Sequence, residues 1–475
     1  MALPPSTHGA NLVTQGSPRR AVLRLATPTV IAMLTQSAVN EVDIIFLSWL
    51  PHPESSNAQA ALLPCLILLW LFGGSLSAIS VGTQALAARR FAEGHPSDSG
   101  AVLVNSFTVA LVSSVTFTVI GYLTMPAILS LLIKVPEVRA AAEDYLGWRL
   151  LGISSMVMTF SLKAFFDGIG KTIVHMVASI VMNVINVVLC ILLIFGKYGA
   201  PRMGIEGAGL AGFVSTWVGL LVMLVWVMLP RYASRFRPFD FARLSRGMSW
   251  DILRLSIPSS VATFAVMTGF ALFSMIVSEL DRAADAATRV VAGGEAVNGA
   301  ATTVIVGVLK LTFTACLAFG TSTATLVSQS LGEGSPEKAE RFGWVSVQLG
   351  LLIFGFVGLL EGVVFTEPLL GFVSKSDAVR EAALVPMRMM GIATPLIAVG
   401  MILTQALFGA GNTRFVMIVE LVLHFLCLVP LAWVLGVTLG YGLVGIWAAA
   451  LAYVVLLTAV MVWKFRSGDW KAIRI

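Results

Sequence analysis

The stretch RLATPTVIAMLTQSAVNEVDIIFLSWL at residues 24–50 decides the fold, because it is long and apolar yet contains two amides and two carboxylates. At about 100° per residue, Gln36, Asn40 and Asp43 fall on one face of a helix, whereas Glu41 points to nearly the opposite side from Asp43. An ionisable group inside a membrane helix is costly and indicates a functional site. This face predicts the wall of a wet cavity; the alternative is a polar helix–helix contact sealed inside a bundle.

The composition excludes a soluble globular protein. Of 475 residues, 57% are hydrophobic and 12% are charged, and the mean hydropathy is +0.90. So few charges cannot cover a water-facing surface of this size. Apolar segments near or above the roughly 20 residues that span a bilayer predict an all-α polytopic membrane protein with about twelve transmembrane helices. The segments are 21–50, 58–88, 101–133, 141–166, 171–196, 204–229, 251–279, 296–330, 342–373, 384–411, 413–437 and 441–463.

The basic residues set the expected orientation. Segment 21–50 is too long for a signal-peptide core, so we expect it to remain as the first span behind a short flexible tail at 1–18. Cations concentrate in the mid-chain loop, and positive-inside bias then places both termini in the cytoplasm, in a cell inner (plasma) membrane. The net charge of +6 is thereby expected to face anionic lipid headgroups rather than nucleic acid. The loop arginines are Arg231, Arg235, Arg237, Arg243, Arg246 and Arg254.

The chain offers no pattern typical of an enzyme or a metal site. Its four cysteines lie in predicted spans without CxxC spacing, so we expect them to be small packing residues. An enzyme would need clustered His, Asp and Glu ligands or an activated nucleophile, and the sequence shows neither. We therefore expect no enzyme activity, no metal and no cofactor apart from a coupling ion.

The two halves of the chain resemble each other at nearly constant spacing. Each half holds six predicted spans, an even number, so the repeats enter the membrane in the same direction. The arrangement predicts two pseudo-symmetric six-helix lobes with a cleft between them. The matched pairs are RLATP (24–28) with RLSIP (254–258), FAEGHP (91–96) with LGEGSP (331–336), GIGKT (168–172) with GAGNT (409–413), and GIEGAGLAG (204–212) with GLVGIWAAA (442–450).

Two such lobes in one chain favour alternating access by a monomer over a channel, which more naturally comes from several identical subunits. Pro28 and Pro258 stand at matching positions and are expected to kink the first helix of each lobe. The expected boundaries are a first lobe at 19–230, a cytoplasmic basic loop at 231–250, a second lobe at 251–466 and a cytoplasmic tail at 467–475.

The chain resembles the multidrug and toxic compound extrusion (MATE) family over nearly its whole length after the tail. The resemblance rests on the order of Pro28, Gln36 and Asp43, and on the turn FFDGIGKT (165–172) with its partner ALFGAGNT (406–413). It implies a V-shaped pair of lobes and a multidrug antiporter that exports bulky organic cations across the bilayer in exchange for protons or sodium. A major-facilitator carrier also has two parallel halves, but this chain lacks the Gly- and Arg-rich loop between spans 2 and 3.

The resemblance differs between branches of the family. NorM-like members carry acids in helices 7 and 10, where this chain has Val266 and Ile397. DinF-like members pair the helix 1 aspartate with an asparagine and an aspartate in helix 5, positions that here are Asn186 and Cys190. The chain is therefore nearer the DinF-like branch, with a cysteine in place of the second acid.

Asp43 is the candidate coupling carboxylate, because proton coupling requires a group that changes charge during the cycle. Protonated, it would release a cationic substrate; ionised, it would attract one. Gln36, Asn40 and Asn186 would orient it, or would add oxygen ligands if the ion is sodium. A sodium site without a second carboxylate has less negative charge, so the sequence favours protons.

Other polar groups in the spans compete for a role. Glu420 and His424 are four residues apart and share a helix face, which suits a proton relay, although a locally satisfied pair is the alternative. Lys310 needs a counter-ion. Three alternatives are open: it pairs with Asp43 or Glu41 across the cleft, it binds an anionic headgroup, or its side chain snorkels within its own lobe. Headgroup binding would favour a flippase for a lipid-linked saccharide or an anionic lipid.

The remaining cavity candidates come from spans expected to border the cleft. Methionine and phenylalanine can repack around varied ligands, although such residues are more often core or lipid-facing, and a helix–helix hydrogen bond is the alternative for Asn183. Arg149, in contrast, is expected to anchor near a membrane face. The cavity candidates are Met33, Phe166, Asn183, Cys190, Met267 and Phe270.

Overall fold

The computed structural model is helical and contains no strand within the residues that it describes. These are residues 16–133, 135–287, 297–374 and 376–475, without the side chains of residues 38–41, 43, 63 and 283–287. Most of the predicted tail at 1–18 therefore lies outside the described residues. For Asn40, Glu41 and Asp43, the backbone alone is described, inside the first helix.

The helices follow one another along the chain in the order that the hydrophobic pattern predicts. In the first half they are α1 (Pro18–Ser48), α2 (Glu54–Phe72), α3 (Ile79–Ala92), α4 (Pro96–Leu132), α5 (Pro136–Leu151), α6 (Ile153–Gly168), α7 (Ile173–Phe195) and α8 (Gly204–Met228). A short helix, α9 (Pro230–Phe236), leads to the second half. There they are α10 (Arg246–Ala287), α11 (Val297–Gly332), α12 (Pro336–Leu359), α13 (Thr366–Val373), α14 (Asp377–Gly409), α15 (Thr413–Val422), α16 (Val429–Trp433) and α17 (Gly442–Ser467).

These elements confirm a polytopic helical membrane protein. Among the described residues, ten helical segments are long and apolar enough to cross a membrane, and the bent pair of α5 and α6 makes an eleventh. Helix α1 is not among them but is 31 residues long, so it has the length to span a bilayer. Together they correspond one to one with the twelve segments predicted from sequence.

Several spans are interrupted where the sequence predicts continuous helices. A 3₁₀ turn at Gly74–Ala78 separates α2 from α3, and α5 bends by 40° into α6. π-helical turns at Leu360–Val364, Leu423–Leu428 and Val434–Thr438 follow α12, α15 and α16. Such turns break the regular hydrogen-bond ladder and are frequent at functional sites. The membrane acid Glu361 lies in the first of these turns and His424 in the second.

The repeated sequence produces the same local backbone twice. Helix α3 is followed by Gly94 at φ 84°, and helix α11 by Gly334 at φ 71°. In each case a proline then begins the next helix, Pro96 or Pro336, at the position where a missing N–H costs nothing. Only glycine adopts positive φ without strain, so these matched glycines are required by the turns.

Two further matched glycines allow close helix packing. A Cβ on Gly168 would lie 3.0 Å from the carbonyl oxygen of Gln84, so α6 and α3 approach at backbone distance. A Cβ on Gly409 would collide with the carbonyl oxygen of Ala324, so α14 and α11 approach still more closely. The equivalent helix pairs of the two halves therefore meet through equivalent glycines.

Replacing Gly409 by Ala is expected to lower the free energy of unfolding by about 1–3 kcal/mol, because the added methyl group overpacks the contact with α11. The measurement is denaturant unfolding of the purified protein in detergent. Gly355→Ala is the matched control, since a Cβ there would lie 3.9 Å from Pro395. Equal stability of the two variants would contradict the close approach at Gly409.

Helices α1 and α10 each pass from one hydrophobic core to another. The first turns of α1 place Val22 and Leu25 in a core formed mostly by the second half, whereas Leu47 at its other end belongs to the core of the first half. Helix α10 does the reverse, with Leu255 in the first-half core and Phe273 in a second-half core. Both helices thus link the two halves. The predicted lobe boundaries at 19–230 and 251–466 stay a prediction.

Hydrogen bonds join α3 and α6 of the first half to α11 of the second half. We call this set of contacts the inter-half seam. All five bonds have a side-chain donor, and four of the five acceptors are backbone carbonyls, so a one-turn slip would break several bonds together. The bonds run from Gln84 Nε2 to Thr321 O (2.8 Å) and Thr325 Oγ1 (2.8 Å), from Thr325 Oγ1 to Asp167 O (3.1 Å), from Ser328 Oγ to Ala85 O (2.7 Å), and from Gln329 Nε2 to Gly168 O (2.7 Å).

The segment predicted as a basic loop at 231–250 is partly helical and is fixed to α4. It contains most of α9 and a 3₁₀ turn at Phe241–Arg243. Arg243 Nη2 donates to Asp98 Oδ1 at 2.5 Å, and Asn105 Nδ2 donates to the carbonyl oxygen of Arg243 at 3.1 Å. Pro230 starts α9 because its fixed φ suits the first helical position.

The segment predicted as a tail at 467–475 folds back onto the helices. Trp470 is fully buried, stacks on Phe465 at 4.6 Å between ring centroids and donates Nε1 to the Phe465 carbonyl oxygen at 2.8 Å. Arg89 Nη1 of α3 donates to the carbonyl oxygen of Ile473 at 2.8 Å. Because α3 belongs to the first half, the C-terminal segment bridges the two halves.

Candidate ion and substrate site

A polar cavity of about 90 Å³ lies inside the first half, between α1, α5, α6, α7 and α8. It brings together Gln36, Asn183 and Asn186, three residues selected from the sequence. The volume is enough for several water molecules, and the lining supplies the polar partners that such water needs. Hydroxyl groups from α6, α7 and α8 complete the polar part of its wall: Thr159, Ser179, Ser215 and Thr216.

The side-chain amide of Asn186 contacts two neighbouring side chains, Ser215 and Cys190. Its Nδ2 donates to Ser215 Oγ of α8 at 3.4 Å, and Cys190 Sγ lies 3.8 Å from its Oδ1 as a weak donor. Cys190 is fully buried one helical turn beyond Asn186. The cysteine that replaces the expected acid therefore supports the amide rather than presenting a second charge.

Helix α1 carries the remaining predicted coupling residues. Gln36 faces the cavity, and α1 packs on α7 of the first half and α11 of the second. Asn40 and Asp43 follow Gln36 by four and seven residues on the same helix face. The side chains of Asn40, Glu41 and Asp43 lie outside the described residues, so their roles stay predictions.

Arg149 is the cavity residue that sequence reasoning placed wrongly. It was expected to anchor near a membrane face, but it is half-buried and lines the cavity from the last turn of α5. Its guanidinium lies against Gly212 of α8, where any larger residue would collide with Nη1. The glycines of GIEGAGLAG at 204–212 are the sequence feature that leaves room for so large a side chain.

Two further polar features lie on helices that border the cavity: His175 on α7 and a buried ion pair on α6. His175 is 6% exposed and lines the cavity, with Nε2 3.2 Å from Ser179 Oγ. Lys163 Nζ bonds Asp167 Oδ2 at 2.8 Å, and both side chains are largely shielded from solvent. The Asp167 carbonyl oxygen belongs to the inter-half seam. Sequence reasoning missed both features, although a histidine and an i,i+4 pair of opposite charges are rare in such apolar segments and could have been found by that signal.

The predicted pair Glu420 and His424 forms a buried cluster in the second half. His424 Nδ1 lies 3.4 Å from Glu420 Oε2, and Tyr453 of α17 donates its hydroxyl to the same oxygen at 3.0 Å. The His424 and Tyr453 rings are 4.6 Å apart. Gly269 of α10 faces the imidazole, and a Cβ there would collide with it. These contacts are those expected of a locally satisfied pair, the alternative to a proton relay.

Two other membrane-embedded charges lie in the second half. Lys310 is half-buried on α11, the helix that packs against α1. Its predicted pairing with Asp43 or Glu41 stays a prediction. Glu361 accepts a hydrogen bond from Thr312 Oγ1 of α11 at 2.6 Å. Within the described part of the chain, no group of three or more His, Cys, Asp and Glu side chains could hold a metal ion.

The apolar cavity candidates divide into two groups. Phe166 is fully buried and packs edge to face on Tyr232 at 5.7 Å, so the expectation that it lines a substrate cavity is wrong for this conformation. Met33 is half-buried on α1, and Met267 and Phe270 are exposed on α10. The sequence does not distinguish an apolar side chain that fills a core from one that lines a cleft.

The duplicated helical architecture and the polar cavity among its membrane-length helices define a multi-pass membrane transporter. The chain belongs to the MatE family, whose model matches residues 28–192 and 258–434. The two matched blocks begin at Pro28 and Pro258, the equivalent prolines of the internal repeat. Members of this family are transporters, not enzymes.

Relatives cover nearly the whole chain. It is 25% identical over 456 residues to the probable multidrug resistance protein NorM of Thermotoga maritima, covering 95% of this chain and 93% of that protein. It is 26% identical over 433 residues to the multidrug resistance protein MdtK of Yersinia pseudotuberculosis, covering 88% of each.

Solved structures share the fold. A multidrug resistance MATE family transporter of the MOP superfamily in an outward-facing conformation matches with a TM-score of 0.84 at 22% identity, over 98% of both chains. A MOP superfamily transporter from Pyrococcus furiosus, described by the reverse polarity of its binding pocket, matches with a TM-score of 0.83 at 21% identity, also over 98% of both chains.

Proposed function

We propose that the protein is a secondary active multidrug exporter, which moves bulky organic cations out of the cell in exchange for protons or sodium ions. The observation that carries the proposal is the convergence of Gln36, Asn183 and Asn186 on one polar cavity in the first half. Helix α1 lines this cavity and also contacts α11 of the second half. The names of the relatives, multidrug resistance proteins, support the same function.

Alternating access fits the way in which the halves meet. The inter-half seam is built from a few hydrogen bonds to backbone carbonyls, which can break and re-form as a unit. Helices α1 and α10 pass from one core to another, so rocking of the halves would bend them near Pro28 and Pro258. The cavity on α1 would then be exposed to one side of the membrane at a time.

Asp43 is the proposed coupling carboxylate, with Gln36, Asn40 and Asn186 as its orienting partners. The side chain of Cys190 donates weakly to Asn186 and brings no charge, so one carboxylate would carry the coupling. A single carboxylate with amide neighbours suits a proton better than a sodium ion, which needs several oxygen ligands and a balancing charge. This arrangement is nearer the DinF-like branch than the NorM-like branch.

The end of the protein that carries α9 is proposed to face the cytoplasm. Burial, together with the neighbouring cations Arg231, Arg24 and Arg235, lowers the pKa of Lys171 in the turn between α6 and α7. Four cations gathered at one end of the bundle suit the cytoplasmic leaflet and its anionic headgroups. Both termini would then be cytoplasmic, with the protein a monomer in the inner (plasma) membrane.

The test is transport in vesicles containing the purified protein. A pH gradient and a sodium gradient are imposed separately, and accumulation of a fluorescent organic cation is followed. We expect the pH gradient to drive accumulation above that of protein-free vesicles, and a protonophore to abolish it. A sodium gradient at equal pH is expected to have no effect. Absence of dye movement under both gradients, with movement of a fluorescent anionic lipid instead, would contradict the proposal.

A further inference from the structure

We propose that Glu420, His424 and Tyr453 form a proton-binding site in the second half, the counterpart of the polar cavity in the first half. The site holds a single proton on the carboxyl group of Glu420, separate from the coupling proton assigned to Asp43. It goes beyond the proposed exchange, which places protons in the first half alone. The site holds its proton rather than passing it on, in agreement with the local contacts that satisfy the pair.

The cluster occupies the positions that line the cavity in the first half. The matched motifs of the internal repeat define the correspondence, because each residue stands at the same distance after its motif as its counterpart does. All three counterparts belong to the cavity wall. The repeat therefore places a polar site in each half, and the second one contains ionisable groups. The equivalent pairs are Glu420 with Ser179 and His424 with Asn183, seven and eleven residues after GAGNT (409–413) and GIGKT (168–172), and Tyr453 with Ser215, three residues after GLVGIWAAA (442–450) and GIEGAGLAG (204–212).

Helix α10 closes this site as α1 closes the cavity of the first half. A Cβ on Gly269 would collide with the imidazole of His424, so the backbone of α10 touches the ring. Val266, which matches Gln36 in the repeat, lies one turn before Gly269 on the same helix. The imidazole thus fills the space against α10 that remains open beside Gln36 in the first half.

The cluster is buried and contains an acid without a permanent cation. Glu420 and His424 are 6% and 3% exposed. An ionised Glu420 beside a neutral imidazole would leave a net negative charge among membrane helices, which is costly. One proton removes this charge, whereas a second proton would create a positive one. Burial therefore favours a cluster that holds one proton.

The helices around the cluster offer no other charge that could replace this proton. Helices α10, α14 and α17 pack on α15, which carries Glu420. The facing parts of these three helices, residues 255–278, 389–409 and 442–463, contain no Asp, Glu, His, Lys or Arg. On α15 itself, Arg414 is exposed in the first turn. The proton is therefore the available means of neutralising the carboxyl group.

The hydrogen-bond geometry places the proton on Glu420 rather than on His424. His424 Nδ1 lies 2.9 Å from the backbone carbonyl oxygen of Glu420 and 3.4 Å from its Oε2. The carbonyl oxygen is the closer acceptor, so it satisfies the N–H of a neutral imidazole. Tyr453 donates its hydroxyl to Oε2 at 3.0 Å. A neutral acid beside a neutral imidazole also avoids the desolvation of two charges that an ion pair would require.

The test is infrared spectroscopy of the purified transporter, because the C=O stretch of a protonated carboxylic acid is separate from the bands of carboxylate and amide groups. We expect such a band in wild type at neutral pH and its loss in Glu420→Gln. The band should remain in Asp43→Asn and in Glu361→Gln, the matched control that removes another membrane acid. Alkaline solution should remove the band from wild type reversibly.

Tyr453→Phe supplies a second measurement that a merely structural role would not change. The variant keeps the ring that lies 4.6 Å from the His424 ring and removes the hydroxyl donor. The band should persist and move to higher frequency, because the acid loses a hydrogen bond to its carbonyl oxygen. If Glu420→Gln does not fold, this shift still assigns the band to Glu420. An unshifted band in Tyr453→Phe would contradict that assignment.

The remaining outcomes separate this site from the export function. Identical spectra of wild type and Glu420→Gln at neutral pH would overturn the proposal, since Glu420 would then be ionised. An imidazolium signal in ¹⁵N-histidine NMR that disappears in His424→Gln would overturn the assignment of the proton to Glu420. Loss of the band in Asp43→Asn would contradict two separate sites. A Glu420 band in a protein that does not transport dye supports the site and contradicts only the export function.

Discussion

Replacing Asp43 by Asn is expected to reduce proton-driven accumulation of a fluorescent organic cation to the level of protein-free vesicles. The amide keeps the size and most of the hydrogen bonding of the carboxylate but cannot change charge at any pH near neutrality. No proton can then be exchanged for the substrate. Movement of the dye down its own concentration gradient, with no pH gradient imposed, is a useful second measurement. A variant that still folds and binds the dye should retain some of this movement.

Variants of two other carboxylates serve as controls for this experiment. Glu361→Gln removes a membrane-embedded acid that accepts a bond from Thr312, and it is expected to leave proton-driven transport intact. Glu420→Gln removes the acid of the second-half cluster with His424 and Tyr453. If Glu420→Gln stopped transport while Asp43→Asn did not, coupling would lie in the second half.

Replacing Lys163 by Met is expected to lower the free energy of unfolding by about 3–5 kcal/mol, because it leaves the carboxylate of Asp167 buried without its partner. The two side chains are 11% and 2% exposed, and their charged atoms are 2.8 Å apart. The loss should appear in denaturant unfolding of the detergent-solubilised protein. It should also loosen the inter-half seam, since the Asp167 carbonyl oxygen accepts from Thr325.

An exposed pair gives the matched control. Arg90 and Glu93 are 3.0 Å apart and each is about one-third exposed, so Arg90→Met should cost at most about 1 kcal/mol. The double variant Lys163→Met with Asp167→Leu should recover most of the loss, because apolar replacement of both partners removes the unpaired charge. A double variant as unstable as Lys163→Met would contradict the assignment of the loss to the buried carboxylate.

The sequence predicts the architecture well because membrane burial leaves strong traces in it. Segment length and hydrophobicity locate the spans, and the spacing of FAEGHP at 91–96 and LGEGSP at 331–336 reveals the duplication. The glycines Gly94 and Gly334 show why that spacing is kept, since each ends a helix at positive φ. What the pattern misses are the breaks, such as the bend between α5 and α6, because an apolar run looks the same whether straight or bent.

The site is harder to predict because it is built from side chains on different helices. Gln36 and Asn186 were found because polar residues are rare in such spans. Arg149 was misplaced, since its distance along α5 does not reveal that Gly212 of α8 makes room for it. Phe166 illustrates the opposite error, a core residue taken for a cavity wall. In each case, contacts between segments distant in sequence determine whether the side chain lines the cavity or fills the core.

One carboxylate in the first half, Asp43, is proposed to exchange a proton for the substrate. The most direct measurement is proton release when an organic cation is added to the purified transporter in weakly buffered detergent solution, followed with a pH-sensitive dye. Linkage predicts release of about one proton per bound cation from wild type and none from Asp43→Asn. Equal release from both proteins, or none from a wild type that binds the cation, would contradict the account.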